Sequence, residues 1–303
     1  MKIAVLGLWH LGCVTAACCA KFTEVVGLDF DFQTIENLRA GKPPIFEPDL
    51  EDLIHNGLTS GRLSFESDPA VALKDAKFLW VAYDTPVDEE DRADLTPVLY
   101  GIDCCAPYLD ENAIVLISSQ IPAGTCRSLE KMYPGKRFAY SPENLRLGKA
   151  IEIFLHQDRI ILGTRGDDDA AARISELLSN FSTSIIQVRT ESAEMIKHAI
   201  NSFLALSITF MNEIARICEK VGADAREVEQ GLKSETRIGP KAYLSPGGPF
   251  AGGTLARDVV TLDDLASRLG EELFLIPAIK FSNDQHKRWA IQKLREELGS
   301  LRG

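Results

Sequence analysis

No apolar run in this 303-residue chain reaches the roughly 18 residues needed to cross a membrane as a helix. The N-terminus opens directly on a strand pattern, so no signal peptide is expected. Positive charge is short: 33 lysines and arginines face 44 aspartates and glutamates, for a net charge of −11. That balance argues against nucleic acid and anionic membranes as partners, though it allows a local basic pocket for a phosphorylated ligand. The seven cysteines (Cys13, Cys18, Cys19, Cys104, Cys105, Cys126 and Cys218) are odd in number and lack Cys-x-x-Cys spacing. They read as reduced core residues of a cytoplasmic protein, with the pairs Cys18–Cys19 and Cys104–Cys105 buried. No metal site is expected. Internal repeats and low-complexity stretches are also missing. What remains is ordinary globular composition, 45% hydrophobic and 25% charged, long enough for about two domains of roughly 100–200 residues.

Residues 2–7, Lys-Ile-Ala-Val-Leu-Gly, form the continuous apolar run of a buried parallel strand. A helix is predicted over residues 11–21 and a second strand over 24–29. Further strands are predicted at 78–81, 113–118, 138–140 and 159–163. Strands alternating with helices predict an N-terminal doubly wound, Rossmann-type parallel sheet over residues 1–190. Beyond that point the period changes. Apolar residues recur at helical spacing from 191 to 221, with Gly222 as a natural stop. A helix with so much apolar surface must be covered by a second domain or a second subunit. Residues 191–303 are therefore expected to form an α-helical dimerisation and substrate domain, with two more helices near 259–269 and 277–298.

Gly7-Leu8-Trp9-His10-Leu11-Gly12 sits between the first strand and its helix, and Asp29 closes the second strand. Position and spacing match a dinucleotide fingerprint, with phosphate on the helix N-terminus and the acid on the adenosine ribose. Trp9 departs from it, because it replaces the middle glycine, where backbone must approach the pyrophosphate. The reading is that Trp9 turns outward and the dinucleotide binds; the alternative is a domain that has lost its cofactor. Asp29 favours NAD over NADP, since a 2′-phosphate would meet a negative charge. On the long helix, Lys197 and Asn201 are four apart and share a face. A lysine on so apolar a helix either snorkels out or is used. Residues 237–258 crowd five glycines and three prolines between helical patterns, and so long an irregular loop is usually functional. Asp258 at its end also suits the first turn of a helix.

Several of these segments, in order, resemble the UDP-glucose/GDP-mannose (nucleotide-sugar) 6-dehydrogenase family. Asp84-Thr85-Pro86 resembles its Thr-Pro turn, and Ser119-Gln120-Ile121-Pro122-Ala123-Gly124-Thr125 its Ser-Thr-Val-Pro-x-Gly-Thr segment. Ser141-Pro142-Glu143-Asn144-Leu145-Arg146-Leu147-Gly148-Lys149-Ala150-Ile151 resembles its Ser-Pro-Glu-Phe-Leu-Arg-Glu-Gly-x-Ala-Ile signature. The loop resembles its Gly-Phe-Gly-Gly-Ser-Cys-Phe-Pro-Lys-Asp, with Phe250, Gly252 and Asp258 in register. The resemblance implies NAD as cofactor, a small-molecule substrate such as a sugar nucleotide, and a homodimer through the long helix. It assigns cofactor contacts to Gly7, Trp9, His10, Leu11, Gly12, Asp29, Thr85, Pro86, Gln120 and Arg257. It places Lys197 and Asn201 at the reacting sugar carbon, with Glu143 and Asp258 in support.

The family's reaction is a double oxidation whose second half needs a thiolate to capture the aldehyde. Thr254 stands where the resemblance puts that cysteine, Gln120 replaces a water-positioning threonine, and Leu147 replaces the second glutamate. Three losses at one step imply an oxidoreductase acting on a CH–OH group and limited to a single hydride transfer. The runner-up is a non-catalytic relative that only binds the dinucleotide or sugar nucleotide. The family's third domain is expected to be absent, which reads as a natural short form because truncation alone leaves Thr254 unexplained.

Overall fold

A computed structural model describes residues 1–299. The chain divides into two compact units, Met1–Thr85 with Asp94–Lys197, and Pro86–Ala93 with His198–Gly303.

The first unit is built on one eight-stranded sheet. Its strands are β1 (Lys2–Leu6), β2 (Glu24–Leu28), β3 (Leu63–Glu66), β4 (Phe78–Val81), β5 (Ile114–Ile117), β6 (Arg137–Tyr140), β7 (Ile160–Gly163) and β8 (Ile185–Val188). They lie in the order β3-β2-β1-β4-β5-β6-β7-β8. All pairings are parallel except β6 with β7, which meet antiparallel through Tyr140 and Gly163. The doubly wound, Rossmann-type parallel sheet expected from the sequence is present, with one antiparallel pairing within it.

Alternation along β1 shows how the sheet is held. Ile3 and Val5 join one apolar cluster with Leu11, Val14, Phe78 and Trp80. Ala4 and Leu6 join a second with Leu79, Val81, Val115 and Tyr140. Both faces are covered there, which is why β4 and β5, like β1 beyond Lys2, are apolar at every position rather than at every second one. The strand order reverses between β1 and β4, so the C-terminal ends of those two strands form the switch point where such sheets take ligands.

In the second unit the long helix Thr190–Val221 continues past Lys197, and Gly222 ends it with φ 76°. Helices Ala225–Ser234, Arg257–Leu269, Leu275–His286 and Trp289–Leu298 follow. Ala205, Phe250, Ala256, Val259 and Ile279 make the apolar centre of this unit. Two expectations change here. The helix foreseen at 277–298 is broken at Lys287 and Arg288. The break sets the Trp289 ring against His286, with centroids 5.7 Å apart, and brings its indole N–H to Glu219 at 3.0 Å. The end of the long loop is also not irregular, because Gly252–Ala256 forms a π-helical turn leading into the next helix.

Candidate active site

The turn after β1 is shaped by two glycines. Gly7 has φ 91°, and a Cβ there would lie 2.6 Å from the Tyr83 ring. A Cβ on Gly12 would lie 1.7 Å from the Gly7 carbonyl oxygen, so the helix His10–Cys19 starts in backbone contact with the turn. Trp9 stands at the head of that helix, 51% exposed, and caps it with no side-chain hydrogen bond. The ring is turned out into solvent, and the helix start has no side-chain cap of its own. These features fit a dinucleotide phosphate at the N-terminus. Asp29 directly follows β2 and accepts the Leu8 N–H at 2.7 Å and the Asp31 N–H at 3.0 Å. Thr85 and Gln120, past the ends of β4 and β5, are buried; Pro86 is exposed and opens the short segment that belongs to the second unit.

His10 contacts Glu47 at 2.9 Å, and that glutamate is only 3% exposed. Glu47 also accepts the N–H groups of Gly148 at 2.8 Å and Ala150 at 2.9 Å, tying the Ser141–Ile151 signature to the first helix. Burial opposes its charge, but the two backbone hydrogen bonds and His10 outweigh it and hold the carboxyl below its ordinary range. A carboxyl lowered on folding stabilises above its unfolded pKa, and that contribution fades as pH falls through the folded value. Glu47→Gln is expected to cost about 2 kcal/mol at neutral pH. The gap to wild type should narrow below about pH 4.5 in urea unfolding curves; a pH-independent gap would show that the charge is not what matters.

Lys197 is 5% exposed and does not snorkel out. Its Nζ donates to the Glu143 carbonyl at 2.5 Å and to Asn144 Oδ1 at 3.4 Å, and lies 3.7 Å from Glu143 Oε1. The Glu143 carboxylate in turn accepts the Leu145 N–H at 2.5 Å. One turn earlier on the helix, Glu194 is fully buried and accepts the N–H groups of Gly124 at 2.6 Å and Cys126 at 2.9 Å. Burial raises its pKa above the usual carboxylate value despite those bonds. Leu147, in place of the second glutamate, is exposed.

In the second unit, Asn201, Asp258 and His198 form a buried cluster. Asp258 Oδ1 lies 2.6 Å from His198 Nδ1, and Oδ2 accepts the Asn201 amide at 2.5 Å. The aspartate occupies the first turn of Arg257–Leu269, as its position implied, with Arg257 beside it largely buried. Thr254 is exposed within the π-helical turn. The glycine-rich loop has few backbone partners of its own, and side-chain amides supply them. Asn212 donates to the Gly248 carbonyl at 3.2 Å and accepts the Gly247 N–H at 3.0 Å. Asn283 brackets Phe250, accepting its N–H at 2.9 Å and donating to its carbonyl at 3.0 Å. His286 Nε2 donates to the Gly247 carbonyl at 2.8 Å. The loop so held lines a cleft of about 690 Å³ with Ile208, Lys233, Lys241 and Tyr243.

Residues 1–182 match the NAD binding domain of the UDP-glucose/GDP-mannose dehydrogenase family, and residues 191–285 match its central domain. The chain belongs to the UDP-glucose/GDP-mannose dehydrogenase family. It is 34% identical over 310 residues to the UDP-glucose 6-dehydrogenase TuaD of Bacillus subtilis, covering 100% of this chain and 67% of that one. It is 35% identical over 301 residues to a UDP-glucose 6-dehydrogenase of Rhizobium meliloti, covering 95% and 68%. A solved UDP-glucose dehydrogenase from Pyrobaculum islandicum superposes with a TM-score of 0.92 at 32% identity, covering 100% of this chain and 72% of that chain. The family is one of NAD-dependent oxidoreductases acting on CH–OH groups. NAD, when bound, accepts the hydride; Gly7, Gly12 and the N-terminus of helix His10–Cys19 could hold its phosphates, and Asp29 its ribose.

The cysteines bear on this family's chemistry. Burial pushes the thiols of Cys18 and Cys105 up to about 12, and it also raises those of Cys13, Cys19 and Cys126 well above the ordinary thiol value. A thiol held protonated is a poor nucleophile, so none of these five substitutes for a thiolate at Thr254. Cys104 is only partly buried, which corrects the expectation for its pair.

Proposed function

We propose that this chain oxidises a hydroxyl of a sugar nucleotide by one hydride transfer, stopping at the aldehyde. The observation that carries the reading is the contrast between Lys197 and Thr254. Lys197 is buried and held by Glu143 and Asn144, while the position for a covalent nucleophile carries an exposed threonine hydroxyl. Lys197 and Asn201, one turn apart on one helix, donate hydrogen bonds to the substrate oxygen and stabilise the charge that develops there as the hydroxyl proton passes to solvent water and the hydride to NAD. Asp258 fixes the Asn201 amide for that role, and His198 fixes Asp258. Without a thiolate there is no thioester to hydrolyse, so the second oxidation lacks its intermediate. The cleft beside Lys241 and Tyr243 is the proposed seat of the sugar nucleotide.

A second copy of the chain completes the proposed assembly. Phe203, Phe210 and Ile217 recur every seven residues on the long helix and are 67%, 45% and 58% exposed, with Val221 71% exposed beyond them. Such a stripe suits a homodimer. Seven free cysteines fit a reducing, cytoplasmic setting.

The test is product stoichiometry with UDP-glucose and NAD. One NADH per sugar, and an aldehyde trapped by a hydrazine reagent, is the expected result. Two NADH per sugar with a uronic acid product would overturn the single-step reading.

A further inference from the structure

We propose that Asp84 is a built-in competitor of the cofactor's pyrophosphate, and that it sets how tightly this chain holds NAD. The inference rests on the cofactor reading of the glycine turn. Gly7 follows β1 and Asp84 follows β4, the two strands that flank the switch point of the sheet. Asp84 Oδ2 accepts the Leu11 N–H at 3.4 Å. That N–H belongs to the first turn of the helix at whose start the fingerprint seats phosphate. The Leu8 N–H of the same turn is taken by Asp29. Two amides beside the phosphate position thus already face carboxylates of the chain itself.

The two carboxylates differ in what an arriving dinucleotide brings them. Asp29 directly follows β2, where the adenosine ribose is expected, and its lone pairs accept ribose hydroxyls. Asp84 meets phosphate oxygens, which have no hydrogen to give, so the encounter is repulsive and an amide must change partner. Trp9 adds no compensating hydrogen bond at the cap. Asp84 is exposed, so water and salt reach its carboxylate. The effect is therefore a graded electrostatic penalty, sensitive to salt, and not a steric block.

The experiment is calorimetric titration of NAD into the full chain and into Asp84→Asn, at low and at high ionic strength. The variant is expected to bind about tenfold tighter at low salt, with the advantage falling to about twofold near 0.5 M salt as the charges are screened. Asp84→Glu, which keeps the charge, is expected to show no such gain. Equal or weaker binding by Asp84→Asn overturns the inference while leaving NAD binding intact, as does a gain that salt does not reduce. No binding by either protein overturns the cofactor reading and this inference with it. Melting curves accompany each titration; if Asp84→Asn melts early, Asp84→Ser is read by the same criteria.

Discussion

Methionine at Lys197 is expected to lower kcat for NADH formation from UDP-glucose by about a hundred- to a thousandfold, the usual cost of losing a preorganised donor to a developing oxyanion. Methionine keeps much of the lysine's length and so fills the 5%-exposed site, but it gives nothing to the Glu143 carbonyl or to Asn144. Those acceptors then lose a partner, and about 1–3 kcal/mol of stability should go with them. The two effects separate cleanly. Stability is read from a denaturation midpoint and catalysis from initial rates well below it, while NAD affinity, measured calorimetrically, is expected to stay within about twofold. A rate loss under tenfold would remove Lys197 from the chemistry and leave it as a structural tie to the Ser141–Gly148 segment.

Gly12→Ala should be the most damaging single methyl group added at any of the described glycines. The new Cβ would lie 1.7 Å from the Gly7 carbonyl oxygen, and both partners are backbone, so no side chain can turn aside. The helix His10–Cys19 must then back away from β1. It carries Leu11, Cys13 and Val14 in the main core cluster, so the retreat opens packing along its length. A cost of about 3 kcal/mol or more is expected, at the upper end for overpacking, together with loss of measurable NAD binding. Gly231→Ala is the matched control, because nothing lies within 4 Å of its added Cβ. It sits inside helix Ala225–Ser234 and should be neutral or slightly stabilising. Urea midpoints of the two variants test the contrast, and similar values for both would refute the close approach at Gly12.

The sheet was largely legible because its strands are buried on both faces, which leaves short unbroken apolar runs. Two strands escaped for the opposite reason. β8 is four residues long and exposed in its middle, so Ile185–Val188 shows neither a run nor an alternation. β3 alternates, but Leu63–Glu66 is too short for a period to stand out. The glycine turn, Asp29 and the Lys197–Asn201 spacing could be read because each is a local pattern. Glu47, His198, Asn212 and Asn283 could not. Their partners are 101 and 103 residues away for Glu47, 60 for His198, 35 and 36 for Asn212, and 33 for Asn283. A lone polar residue whose partner lies in another element has no spacing to betray it. His198 had one available signal, its place beside Lys197 on an apolar helix, where a buried imidazole needs a partner.

The helix that holds the loop has a consequence for assembly. Asn212 grips Gly247 and Gly248, and Ile208 lines the cleft beside them. Phe210, between the two in sequence, is part of the exposed stripe proposed for a second copy. Anything that fixes this stretch of helix in one position also fixes the loop's anchor. Should the proposed dimer form through this stripe and the proposed sugar nucleotide sit in this cleft, substrate affinity and self-association would be linked quantities: the factor by which one tightens the other is the same in both directions. Apparent affinity for the substrate would therefore depend on protein concentration, rising as the monomer is depleted.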